Sequence, residues 1–170
     1  MSDLTATATP WRADVIQDFA RSELFDRTFQ EGMDLVEETA AYLDGSGRQE
    51  SKSLSRSAAL AYAGESMRLT TRLMQVASWL LVQRAVREGD MKPESACEDR
   101  YRLSAEDVCR NSAETPDDLP PALMLLLDRS ERLYERVRHL DRRMYVEEGE
   151  GEAPNPVLTQ FDRLRTAFGT

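Results

Sequence analysis

The chain has 170 residues, a net charge of -9 and a pI near 4.8, enough for one domain with a real core. That acidity disfavours a nucleic-acid partner, because phosphate backbones are repelled unless a local basic face exists. Two cysteines, Cys97 and Cys109, and a single histidine, His139, cannot build the usual four-ligand Cys/His zinc site. Unpatterned thiols point to a reducing compartment. Residues 1–10 carry neither a charged start nor an apolar run, so no secretory signal is read. The longest apolar patch, residues 79–82, is too short to span a bilayer. The expectation is a cytoplasmic protein with no membrane partner.

In chain order, residues 1–20 read as a flexible leader in which Trp11, Val15, Ile16 and Phe19 are placed to dock as a short turn. A first helix is expected over residues 22–44, with Ser22 as N-cap and Gly45 at the favoured C-terminal glycine position. Phe25, Phe29, Val36, Ala40 and Leu43 recur at three- and four-residue steps. Leu24, Leu35 and Tyr42 form a second stripe on the flank, either finishing the core or forming a dimer seam. Residues 45–53 read as a flexible connection.

The second helix is expected over residues 55–88 without a proline. Tyr62, Ala63, Met67, Leu69, Leu73, Met74, Val76, Ala77, Leu80 and Leu81 cover about half its circumference at 100° per residue. Such an arc suits a central helix between two others. The opposite face carries Glu65, Arg68, Thr71, Arg72 and Gln75, then turns apolar at Trp79, Val82 and Val86. Large apolar groups on a polar face need a cover or a partner. Residues 89–120 are irregular, with a short helix possible from Pro93 to about Arg102.

The third helix is expected over residues 121–146, with Leu123, Leu126, Leu127, Leu133, Tyr134, Val137, Leu140, Met144 and Tyr145 on one face. Asp141 and Ser130 fall inside that arc; a buried acid needs a partner, and Arg84 is one candidate. Residues 147–156 are rich in Glu, Gly and Pro and cannot fold alone. Val157, Leu158, Phe161, Leu164 and Phe168 then follow at helical spacing, so the tail reads as a disordered tether ending in a short amphipathic segment. Residues 147–170 carry a net -3, leaving -6 on residues 1–146. The fold class expected is all-α, an up-down-up three-helix bundle over residues 21–146 with a disordered acidic tail over 147–170.

No phosphate loop, dinucleotide turn or nucleophile elbow is present. Glu37 and Glu38 are adjacent on a helix and point about 100° apart, so they do not converge. His139 projects away from the apolar arc beside Arg132, Arg136 and Arg143, with Arg129 at the edge. An exposed histidine among cations suits phosphotransfer; a docking face or a plain solvated surface explains it as well. No catalytic, metal or cofactor site is expected.

The runs from Phe29 to Gly45, Ala58 to Ala63 and Glu65 to Val86 resemble the alphaproteobacterial RcdA family, regulators of CtrA degradation (DUF1465). The likeness is strong over about residues 24–88, while the third helix and tail match in layout. It implies three-helix proteins that act as non-enzymatic adaptors for the ClpXP protease. Such adaptors link a protease primed by a response-regulator-like adaptor to transcription-factor clients and cooperate with a cyclic-di-GMP effector. No catalytic residue is carried over. Partner binding is expected at Val157, Leu158, Phe161, Leu164 and Phe168 in the tail. On the bundle it is expected at Trp79, Val82 and Val86 and at Arg132, Arg136 and Arg143. A homodimer is expected from the surplus apolar stripes. The competing readings are a phosphotransfer or receiver-docking bundle and a dimeric scaffold.

Overall fold

The computed structural model describes residues 10–104 and 118–145. Among them it is helical throughout: α1 (Pro10–Ala20), α2 (Glu23–Asp44), α3 (Ser46–Ser51), α4 (Arg56–Glu88), α5 (Pro93–Ala96), a 3-10 turn (Asp99–Tyr101) and α6 (Pro121–Tyr145). The expectations for residues 105–117 and for the tail, 147–170, lie outside the described residues.

The long helices start and stop where their termini find hydrogen-bond partners. The Ser22 hydroxyl accepts from Phe25 N–H at 3.1 Å, and Gly45 N–H donates to the carbonyls of Ala41 and Tyr42. Ser55 accepts from Ala58 N–H at the head of α4, and Gly89, at φ +81°, closes its end in the left-handed conformation that glycine adopts without strain. The 33 residues of α4 rise about 50 Å. The connection expected to be flexible contains α3, buried at Gly47.

Contacts fix the helix directions. Asp26 pairs with Arg87, Arg84 stacks over the Phe29 ring, and Gly32 meets Leu80 and Val76, so α2 and α4 run antiparallel. Glu38 pairs with Arg129 and Glu31 with Arg136, so α2 and α6 are antiparallel too. Hence α4 and α6 run parallel: Arg72 meets Ser130, and Trp79 meets Asp141. This corrects the up-down-up order. The physical reason is the connection between the two helices, which is long enough to carry the chain back along the bundle before α6 begins.

The core is apolar and shared by all long helices: Phe25, Leu35, Leu69, Val76, Leu80, Leu123, Leu133 and Val137 are at most a few per cent exposed. Leu35 and Tyr42 belong to this core rather than to a dimer seam; of that trio only Leu24 is exposed. The leader also differs from expectation. From Pro10 on it is a helix that buries Ala13, Ile16 and Ala20. Phe19 packs against Phe25 and Trp79, with centroids 5.8 and 5.6 Å away.

Candidate partner-binding surface

The α1 and α5 helices explain the apolar end of α4's polar face. Trp79 is 2% exposed, Val86 is buried and Val82 is half-buried. These residues are covered by the chain itself, which removes them as a docking patch. The segment after α4 completes the cover. Asp141 accepts from Trp79 Nε1 and from Leu103 N–H, both at 3.1 Å, and from Arg102 at 3.2 Å. Arg84, once a candidate partner for Asp141, is exposed and pairs with Glu88. Tyr145 donates to the Ala96 carbonyl at 2.6 Å, and burial, then the Asp141 charge, hold its phenol far above the ordinary range. Cys97 is buried, and burial pushes its thiol up. Burial thus favours the neutral form of both groups.

The basic face of α6 is partly spent within the bundle. Arg136 pairs with Glu31 across to α2, while Arg132 pairs with Asp128 one turn back. Arg143 and His139 are exposed. The structure therefore leaves a thinner cationic face than the sequence promised.

The exposed surface that stands out lies elsewhere. Leu60, Met67, Met74 and Leu81 of α4 are 70, 72, 63 and 51% exposed. They recur at seven-residue steps, so they form one stripe along the helix. Ala63 and Ser78 share the sector and are exposed. The charged residues of α4 between Arg56 and Arg84 are Glu65, Arg68 and Arg72, and none is on this side: Glu65 and Arg72 are buried and Arg68 pairs with Glu65. A sector this long without a charge is unusual on an acidic protein.

Beside the stripe, α2 and α4 flank a mainly apolar groove of about 240 Å³, lined by Val36, Ala40, Leu43, Leu73, Met74 and Ala77 together with Thr39 and Thr70. Its α2 edge is acidic. Asp26, Glu37 and Asp44 lie 11 and 18 residues apart, near-whole numbers of turns, so they share one sector of the helix. Asp26 shows that this sector faces α4, because it reaches Arg87. Glu37 and Asp44 are exposed and make no ion pair among the described residues.

Sequence reasoning missed this surface because it placed Met67, Met74 and Leu81 in the core arc. The available signal was the strict seven-residue recurrence together with the lack of charge. Among the described residues no group of acids, histidines or cysteines is arranged to hold a metal ion, and no helix is long and apolar enough to cross a membrane.

Comparison with known proteins places this geometry in context. The sequence matches the DUF1465 family (protein of unknown function) over residues 16–168. A solved structure, RcdA from Caulobacter crescentus CB15, is 73% identical, with a TM-score of 0.64, covering 78% of this chain and 99% of the other. No curated protein matches. The chain therefore belongs to the RcdA (DUF1465) family.

Proposed function

We propose that this protein is a non-enzymatic adaptor for regulated proteolysis, delivering client proteins to the ClpXP protease. The observation that carries the reading is the charge-free stripe Leu60, Met67, Met74 and Leu81 beside its groove, on a chain of the RcdA family, whose resemblance implies regulators of CtrA degradation. Exposed methionines suit such a surface, since their flexible thioethers adapt to several partners. Clients of the transcription-factor class, a response-regulator-like priming adaptor and a cyclic-di-GMP effector are the partners in this reading. Its setting is the cytoplasm.

Self-association belongs to the same surface. The stripe is symmetric about the point between Thr70 and Thr71, so a two-fold axis there sets Leu60 opposite Leu81 and Met67 opposite Met74. Such an isologous contact is self-complementary by construction. The tail residues Val157, Leu158, Phe161, Leu164 and Phe168 serve as a tethered contact with the protease, raising the client's local concentration toward millimolar order. Arg132, Arg136 and Arg143 give a secondary face for acidic partners.

The test is a reconstituted degradation assay with ClpXP, the priming adaptor and a fluorescent client. The intact chain should accelerate client loss, and Met67→Glu with Met74→Glu should abolish the acceleration while leaving the helical content unchanged. Full acceleration by that double variant would refute the assignment of the stripe. The signalling alternative rests on His139; loss of delivery in His139→Ala, with phosphate found on the intact protein, would favour it.

A further inference from the structure

We infer that the chain's own segment 157–168 docks in the groove between α2 and α4, where it competes with any second chain seated on the stripe. The inference rests on the reading of that face as a protein-docking surface and adds its regulation.

Charge is the first support. The groove is apolar inside and acidic at its α2 edge, where Glu37 and Asp44 are exposed. An occupant must therefore offer apolar side chains flanked by cations. Segment 157–168 has this composition: Val157, Leu158, Phe161, Leu164 and Phe168 at helical steps, with Arg163 and Arg165 between them and Asp162 as its one acid. The acidic residues 147–152 cannot substitute, since the same edge repels them.

Reach is the second support. The described part of α6 ends at Tyr145. Ser130 of α6 touches Arg72 of α4, beside the groove-lining Leu73. Those 15 residues of α6 rise about 22 Å, so the groove lies that far back along the bundle. The 12 steps from Tyr145 to Val157 span up to about 40 Å when extended, which covers that rise and the passage around the bundle. The stripe also runs toward this end, since Leu81 lies beyond Met74 in the direction in which α6 runs.

Intramolecular docking acts as a tax on every other occupant of the face: apparent affinity falls by the fraction of molecules whose groove is free. Removing residues 149–170 should then tighten association of two chains at least threefold.

The experiment places p-benzoylphenylalanine at position 161 of the full-length chain and irradiates an equal mixture of unlabelled and nitrogen-15 protein. Mass spectrometry then locates the crosslinks. Crosslinks to Leu43, Met74 or their neighbours within chains of one isotope, lost on Met74→Glu and reduced at least twofold by Glu37→Lys, are expected. Mixed-isotope crosslinks at the share random pairing gives, about half of the total, would identify a second copy as the occupant and overturn the proposal. Absence of groove crosslinks, with the reagent shown to react elsewhere, would overturn it as well. The degradation assay separates this failure from that of the adaptor reading: delivery can persist without self-docking, and self-docking without delivery.

Discussion

Replacing Asp141 with alanine probes the polar junction that joins α6, α4 and the segment before residue 105. Three donors converge on this carboxylate, which is only 4% exposed. Trp79 Nε1 loses its acceptor in a site 2% exposed and bears the full desolvation penalty of about 1–3 kcal/mol. Leu103 N–H is half-buried and suffers the lower end of the same range. The Arg102 side chain is 38% exposed, so water takes over much of its solvation and the ion pair itself adds at most about 1 kcal/mol. The expected loss is about 3 kcal/mol, or roughly 6–12 °C in Tm for a chain of this size. Asp141→Asn keeps an oxygen for Trp79 and presents an amide to Arg102; it should cost about 1–2 kcal/mol. Urea unfolding followed by tryptophan fluorescence and by far-ultraviolet circular dichroism reads both variants at unchanged m. A loss below about 1 kcal/mol for the alanine variant would refute the claim that these three donors depend on Asp141.

Alkaline pH should destabilise the fold. Tyr42, Tyr145 and Cys97 are all held above their ordinary values of 10.0 and 9.0, chiefly by burial. The unfolded chain thus releases protons that the folded chain keeps, and stability is intact below about pH 9 and falls as pH rises beyond it. Equal unfolding free energies at pH 7 and 10.5 would contradict this. Gly47→Ala should lower stability by about 1–3 kcal/mol, because an added Cβ would stand 2.8 Å from the Tyr42 carbonyl oxygen and from the Tyr62 hydroxyl; an unchanged urea midpoint would refute it. Met67→Glu and Met74→Glu should each shift stability by less than about 0.5 kcal/mol, since both side chains are mostly exposed. A large loss in either would mean that the stripe belongs to the fold of the single chain.

Local signals in the sequence were enough for the long helices. Ser22, Gly45 and Gly89 mark helix ends because capping is decided within a few residues. Asp141 could be picked out as a buried acid from its place in the α6 arc, yet its partners could not, because Arg102 and Leu103 reach it from a segment with no periodicity. Helix direction was misjudged for a related reason: a long irregular connection leaves both senses open, and only cross-helix pairs such as Arg72 with Ser130 decide between them. The stripe was hidden because a wide apolar arc looks the same whether a neighbouring helix covers all of it or half. Leu80 and Leu81 are adjacent in that arc, and the first is fully buried while the second is half exposed. What distinguishes them is where α2 and α6 stand, a tertiary fact.

The junction at the end of α6 also has a mechanical meaning. Asp141 and Tyr145 lie in its final turns, and their bonds cross to α4, to α5 and to residues 102–103. A force applied to the chain beyond Tyr145 is loaded onto these cross-links before it reaches the apolar contacts deeper in the bundle. Polar bracing is thus built close to the point where the described part of α6 ends. On the proposed adaptor function, with the tail held beside the protease, this is the end that would carry the load.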